Sequence, residues 1–111
     1  MELKWLQELP PKEYKKLTTL TQLQHNHLSV ILDQVRCEIV KARAKHAPMR
    51  GRHEGYAVML EEVDEVWDEI KKKDCDWNAL RKELIQVAAM AVCMIAEVVE
   101  PRINEEKKNG R

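Results

Sequence analysis

The stretch "EGYAVMLEEVDEVWDEI", residues 54–70, decides how this chain folds. A helix advances by about 100° per residue, so its apolar residues fall within about 60° of Val63 on one side. They are Tyr56, Met59, Leu60, Val63, Val66, Trp67 and Ile70. The seven acidic residues of the stretch occupy the remaining half, without a single Lys or Arg among them. The pattern predicts a helix with an apolar core stripe and an acidic face.

Two further helices are predicted on either side of this stretch. Upstream, the apolar residues Leu28, Ile31, Leu32, Val35, Ile39 and Ala42 recur at three-four spacing. We expect that helix to run from about Thr21 to His46, because Pro48 forbids its continuation. Downstream, Asp76 is a candidate N-cap for a helix from Trp77 to Glu100, which Pro101 is expected to end.

The fold class predicted is all-α, because three glycines and four prolines supply few of the turns that a many-stranded protein needs. Residues 84–96 are apolar nearly all round, and three helices in one chain do not cover them. We therefore expect a helical bundle with a four-helix-type core completed by a homodimer or homotetramer. One domain is expected over residues 1–100. Residues 1–20, with Pro10 and Pro11, form an N-terminal extension of short helical segments, and residues 101–111 form a flexible tail.

Composition narrows the classes of function. Nineteen basic and 19 acidic residues give a net charge of zero, which offers no electrostatic reason to bind nucleic acid or an anionic membrane. The N-terminus lacks a signal-peptide pattern, and residues 84–96 are too few to span a bilayer. Three cysteines at irregular spacing suggest reduced thiols. These features predict a cytoplasmic protein.

The acidic face carries unusual repulsion for a solvated helix surface. Like charges at i,i+3 and i,i+4 form six pairs, such as Glu61/Glu65 and Glu62/Glu65, at ~0.2–0.5 kcal/mol each. A face that is merely solvated is the common outcome, but it normally mixes the two signs. A bound divalent cation turns this repulsion into attraction.

The last predicted helix offers a matching polar pair, Glu83 and Gln86, at i,i+3. Taken alone, Gln86 is equally well explained by a hydrogen bond across the bundle. Two facing helices that each carry such a pair are, however, how bundles build carboxylate metal sites. Oxygen ligands without His or Cys favour Mg²⁺ or Mn²⁺.

The motif "EEVDE" at residues 61–65, followed by "ELIQ" at residues 83–86, resembles the E-E-x-x-E … E-x-x-D signature of the all-α nucleoside triphosphate pyrophosphohydrolases. The resemblance covers about residues 28–99 and is greatest to the small MazG-like proteins. It implies Mg²⁺-dependent cleavage of a nucleoside triphosphate to the monophosphate and pyrophosphate. It further implies that Glu62, Glu65 and Glu83 are metal ligands, and that Glu61 holds or deprotonates the attacking water or acts in a supporting role.

One position departs from the family pattern. Gln86 stands where the family usually has Asp, so the site loses one negative charge. An amide oxygen can still ligate a metal, and Gln86 is therefore retained as a fourth candidate ligand. The alternative function is a non-catalytic helical oligomer of the same fold that binds metal or nucleotide as a regulator.

Basic residues near the acidic helix are candidates for contacts with the substrate. Lys45, Arg50, Arg52 and His53 lie just before it, and Arg81 and Lys82 precede Glu83. A basic loop that only balances the acidic charge, and a Lys82 that is only solvated, are the competing interpretations.

Overall fold

The computed structural model describes residues 25–110, and every regular element in that range is helical. Helix α1 spans His25–Lys45, α2 spans Arg52–Ile70 and α3 spans Trp77–Met94; a π-helical turn, Ile95–Val99, then leads into α4, Glu100–Lys108. The prediction of an all-α fold built on three long helices is confirmed. The short helical segments predicted for residues 1–20, and a helix start at Thr21, lie outside the described residues.

The chain divides into two units, Met1–Leu32 and Asp33–Arg111. The described part of the first unit consists of residues 25–32, the opening turns of α1. The second unit contains the rest of α1 and all the later helices. The candidate site lies wholly within the second unit. A single domain over residues 1–100 stays a prediction.

Helices α2 and α3 form a tightly connected hairpin. The carboxylate of Asp76 caps α3 by accepting hydrogen bonds from the backbone N–H groups of Asn78, at 3.0 Å, and Ala79, at 3.2 Å. The predicted N-cap is thus confirmed. At the other end of the hairpin Gly55 is buried, and a Cβ there would lie 3.0 Å from the Met94 side chain. The lack of a side chain at Gly55 therefore lets α2 approach α3 closely.

A small apolar core lies between α1 and α3. Val35, Ile85 and Ala89 are buried together, with exposures of 8%, 8% and 0%. Ile39 and Met90 pack against them. The three-four spacing that predicted α1 accounts for Val35 and Ile39 on one side of that helix.

The predicted core stripe of α2 is confirmed as helical, but only one edge of it, Met59 and Val66, is half-buried. Tyr56 is 63% exposed, Trp67 58% and Val63 43%, and Leu60 and Ile70 are exposed as well. The reason is that α2 packs through a side that includes Gly55 and Glu62. The covered side of α2 thus combines one edge of the apolar stripe with one edge of the acidic face.

The predicted helix end at Pro101 is wrong. The N–H of Glu100 donates to the carbonyl of Ile95, five residues earlier, in the π-helical turn. Proline has no N–H to donate and its ring crowds the carbonyl four residues before it, which a wider π turn accommodates. The helix then continues through α4 to Lys108 with exposed residues, in place of the predicted frayed tail.

Together α3, the π turn and α4 make one continuous helix of 32 residues, Trp77–Lys108. By length and composition alone this helix is apolar enough to cross a membrane, a test that core helices of soluble proteins also pass. The prediction that this apolar segment is too short to span a bilayer considered residues 84–96 alone, and it does not hold for the length of the whole helix.

Candidate metal centre

Three carboxylates from two helices meet in the α2–α3 hairpin. Glu62 and Glu65 lie one turn apart on α2, and Glu83 lies on α3. One oxygen from each falls within 4.8 Å of the others. Gly55 lies close to Met94, and Glu62 lies close to Glu83, so α2 and α3 run antiparallel. This orientation is the one that lets the acidic side chains of residues 61–65 approach those of residues 83–86. The structure thus brings together three of the four predicted metal ligands.

The electrostatics of this cluster disfavour three negative charges in the absence of a cation. Partial burial, followed by the charge and hydrogen bond of Glu65, raises the pKa of Glu62 from 4.5 to about 7. Partial burial and the neighbouring Glu65 also raise the pKa of Glu83, although the Lys82 ammonium opposes that shift. Glu62 and Glu83 therefore lose their protons less readily than free carboxyls do, and a nearby cation would oppose that effect.

Two carboxylate oxygens of the cluster lack hydrogen-bond partners. Glu62 Oε2 and Glu83 Oε2 are both buried, and among the described residues no donor reaches either one. No Lys, Arg or His of residues 27–110 comes within 4.0 Å of the three carboxylates. Unpaired buried acceptors of this kind are costly. Hard oxygen donors on two helices, short of positive charge, fit a divalent cation.

Other acids of α2 do have cationic partners. The Asp68 carboxylate lies 3.0 Å from Lys71 Nζ, and that of Glu69 lies 2.9 Å from Lys72 Nζ. At the start of the helix Glu54 pairs with Arg50 at 3.0 Å. Lysines after α2 thus pair with its C-terminal acids, although the second carboxylate oxygen of Glu69 is buried without a partner, like those of Glu62 and Glu83.

A cavity of about 710 Å³ opens beside the cluster. Its acidic wall includes Glu61 and Glu62, and Gln86 lines it from α3. The opposite wall consists of the end of α1 and the following loop, and it is mainly basic although it includes Glu38. The basic residues of that wall are Lys41, Arg43, Lys45, His46 and Arg50. The predicted water-positioning residue, Glu61, and the fourth candidate ligand, Gln86, therefore border the same space as Glu62, whereas Glu65 and Glu83 do not line it.

The predicted substrate-binding residues divide between two places. Lys45 lines this cavity, whereas Arg52 and His53 are exposed at the start of α2 and do not line it. Lys82 lines a second cavity, of about 410 Å³, together with Arg81. Of the predicted substrate contacts, the structure brings Lys45 and Arg50 to the cavity beside Glu61 and Glu62.

Sequence reasoning missed most of the basic wall. Lys41 recurs at helical spacing with Glu38 and Lys45, so these three side chains share one side of α1. That pattern was readable from the sequence. The place of Arg43 in the wall could not be predicted from the sequence, because it depends on a distant partner, Glu97.

Glu97 ties the basic wall to the π-helical turn. Its carboxylate is 8% exposed; Oε2 accepts a hydrogen bond from the Met49 backbone N–H at 3.0 Å, and Oε1 lies 3.4 Å from Arg43 Nη2. The neighbouring Cys93 is buried, and burial together with the Glu97 charge raises the pKa of its thiol. Glu97 therefore anchors the loop that closes one side of the cavity.

Comparison of the chain with protein-family models, with curated proteins and with solved structures finds no match.

Proposed function

We propose that this protein is a Mg²⁺-dependent nucleoside triphosphate pyrophosphohydrolase of the MazG-like type. The observation that carries the proposal is the convergence of Glu62, Glu65 and Glu83 within 4.8 Å. Glu62 and Glu83 each have a buried oxygen without a partner, and Glu62 also lines a cavity that carries several basic residues. The motif resemblance at residues 61–65 and 83–86 supplies the reaction. Mn²⁺ is an alternative metal on the same donor chemistry.

The cavity has a suitable division of charge for a triphosphate. Glu62, Glu65 and Glu83 would hold Mg²⁺, which supplies positive charge to phosphate oxygens and lowers the pKa of water. Lys45, which has no ion-pair partner among the described residues, would bind remaining phosphate charge. Lys41 and Arg50 would do so by exchanging their present partners, Glu38 and Glu54, for phosphate oxygens. Phosphoryl transfer depends mostly on positioning and charge neutralisation, and this arrangement provides both.

The proposed reaction breaks the bond between the α-phosphorus and the oxygen that bridges to the β-phosphate. Water adds its oxygen to the α-phosphorus, and pyrophosphate leaves with the bridging oxygen. Glu61, exposed at the edge of the cavity, accepts the proton that the water loses. The products are a nucleoside monophosphate and pyrophosphate.

A pyrophosphate-release assay tests this function. The purified protein, with Mg²⁺ or Mn²⁺ and a panel of ribo- and deoxyribonucleoside triphosphates, is expected to release pyrophosphate. Glu62→Ala is expected to abolish the release, because it removes a ligand that both borders the cavity and belongs to the cluster. Asp64→Ala is the matched control, since it removes an exposed acid of the same helix that lies about 160–200° from Glu62. Absence of pyrophosphate with every nucleotide and both metals would refute the catalytic proposal.

Gln86 favours the second candidate, a protein that binds metal or nucleotide as a regulator without catalysis. It places a neutral amide on the cavity wall where the family pattern has a carboxylate. This candidate predicts that Mg²⁺ stabilises the protein while no nucleotide is cleaved. Gln86→Asp separates the two, because a restored charge should create activity if only that carboxylate is lacking. A Gln86→Asp variant that binds Mg²⁺ and still releases no pyrophosphate would favour the regulatory candidate.

A further inference from the structure

The second cavity, of about 410 Å³, lies between α1 and the start of α3 and has no role in the proposed reaction. Each helix lines it with four side chains at positions i, i+3, i+4 and i+7, so each set shares one side of its helix. The residues are Gln34, Cys37, Glu38 and Lys41 on α1 and Asn78, Arg81, Lys82 and Ile85 on α3. The cavity is thus a groove between two helix faces, with a volume in the range of small-molecule sites.

The charge of this second cavity is positive. Lys41, Arg81 and Lys82 line it, and Glu38 is the one acid among the described residues that do so. Glu38 already pairs with Lys41, at 3.3 Å. Among residues 27–110, no carboxylate lies within 4.0 Å of the cationic group of Arg81 or Lys82. Two cationic side chains therefore share the cavity without a carboxylate partner for either of them.

The hydrogen-bond donors of the cavity suit an anion with several oxygen atoms. A guanidinium group presents its N–H donors in one plane, and an ammonium group adds three more donors. Asn78 contributes a side-chain amide and lies in the first turn of α3, where the helix dipole favours negative charge. A phosphate group has both the charge and the acceptor oxygens to match Arg81 and Lys82.

The ion pair between Glu38 and Lys41 belongs to both cavities. Each of these two residues lines the second cavity and also the larger cavity beside Glu62. The Lys41 side chain is 66% exposed, and exposed ion pairs contribute little to stability. The Lys41 ammonium can therefore leave Glu38 for a phosphate oxygen in either cavity. A single side chain thus links the two cavities.

We propose that the second cavity binds a small phosphate-bearing anion through Arg81, Lys82 and Lys41, and that this anion draws Lys41 away from the larger cavity. The ligand is inorganic phosphate or a small phosphate ester. The regulatory effect rests on the proposed function, in which Lys41 contacts the phosphates of the nucleotide. Occupation of the second cavity therefore weakens nucleotide binding while the metal ligands and Glu61 stay in place. Lys82, which the sequence predicted at the substrate, acts in regulation instead.

Nuclear magnetic resonance titration in EDTA at constant ionic strength tests the site, with inorganic phosphate and glycerol phosphate as separate probes. The backbone N–H signals of residues 78–82 are expected to shift and saturate with at least one of the two. Arg81→Gln combined with Lys82→Gln should weaken this binding at least about 10-fold, because it removes two charged hydrogen-bond donors. Arg36→Gln combined with Lys73→Gln is the matched control, because it removes two positive charges from exposed positions that line neither cavity. The control should keep the wild-type affinity.

The effect on the larger cavity is tested through the KM for a cleaved nucleotide. Saturating amounts of the probe that binds should raise the KM of wild type by about 2–5-fold, equivalent to one exposed ion pair, without lowering kcat. The KM of the Arg81→Gln, Lys82→Gln variant should not respond. If no nucleotide is cleaved, the dissociation constant of a non-hydrolysable nucleoside triphosphate in Mg²⁺ replaces KM. Failure of the catalytic proposal is thereby distinguished from failure of this one.

Three results would overturn the proposal. Signals that shift only at residues 45–50, or at no residue, with tens of millimolar of either probe would mean that the second cavity binds no phosphate. Wild-type affinity in the Arg81→Gln, Lys82→Gln variant would place the anion elsewhere. Equal changes of KM in wild type and in that variant would show direct competition in the larger cavity and would refute the link through Lys41.

Discussion

The two sides of the α2–α3 hairpin differ in what their side chains lack: one side has carboxylates without partners, and the other has apolar side chains exposed to water. On the cavity side, Glu62 and Glu83 have buried carboxylate oxygens without hydrogen-bond partners. On the other side, Trp67 and Leu84 leave about half of their surface in water. The three clustered carboxylates on the first side lack a cationic partner, and the second side lacks apolar cover. One helix, α2, contributes to both.

This difference teaches that an amphipathic pattern does not say which side of a helix is buried within its own chain. In α2 most of the apolar stripe is exposed, whereas Glu62 and Glu69 of the acidic side are half-buried. The side of α2 that is covered is thus decided by its close approach to α3 at Gly55.

The largest effect is expected from two adjacent residues of α3 that differ in burial. Ile85 is 8% exposed in the core with Val35, whereas Leu84, about 100° away around the helix, is 49% exposed. Ile85→Ala should lower the free energy of unfolding by about 2–5 kcal/mol. Leu84→Ala should have a smaller effect, because about half of that side chain already contacts water. Urea unfolding measures both. Equal losses would show that the two positions are buried alike.

The next effect concerns the cavity side. At a Mg²⁺ concentration 100 times the dissociation constant, linkage should stabilise the protein by about 2.7 kcal/mol. Glu65→Gln should reduce the rise in melting temperature, because it removes one negative ligand from the cluster. Asp64→Asn is the charge-matched control and should retain the full rise. Differential scanning fluorimetry with and without EDTA measures this. A melting temperature that does not respond to millimolar Mg²⁺ would rule out the metal site.

Much of the local structure was predictable because it depends on neighbours in sequence. The three-four spacing gave α1 and α2, and Asp76 gave the start of α3. The i,i+3 pair Glu62/Glu65 and the residue Glu83 were identified from like charge and spacing, and they do converge. These features are set by helix geometry and short-range repulsion, which a single sequence records.

The rest depends on contacts between distant residues. The sequence predicted that Pro101 ends the helix, but the π-helical turn absorbs it and continues to Lys108. The link from Glu97 to Met49 joins residues 48 positions apart, and no periodicity indicates it. Which side of α2 is buried depends on the close approach at Gly55, which spacing alone does not reveal.

A smaller effect is expected at Glu97, whose carboxylate in the π-helical turn contacts the basic wall of the cavity. Glu97→Gln keeps an acceptor for the Met49 N–H but removes the charge that faces Arg43. We expect a loss of about 1–2 kcal/mol, because hydrogen bonds to charged groups contribute more than neutral ones. If the loop positions phosphate-binding residues, KM for a nucleotide should rise more than kcat falls. Glu105→Gln, at an exposed pair with Arg102, is the control and should change neither. A stable Glu97→Gln protein with unchanged KM would limit Glu97 to a structural role.

The smallest effect is a pH dependence of stability in the absence of metal. Between about pH 4.5 and 7 the folded chain keeps a proton on Glu62 that the unfolded chain has released. The free energy of unfolding therefore falls as the pH rises through this window, and Glu83 adds a change of the same sign. We expect a total loss of only about 1 kcal/mol, because solvent screens these partly exposed carboxyls. Glu62→Gln should flatten this part of the profile, and saturating Mg²⁺ should reverse it, since metal ligands must be deprotonated. Chemical denaturation in EDTA from pH 4 to 8 measures the slope. The contrary result is that wild type and Glu62→Gln show the same dependence of unfolding free energy on pH. It would mean that the neighbours of Glu62 do not raise its pKa, and that the acidic cluster contains no repulsion for a cation to relieve.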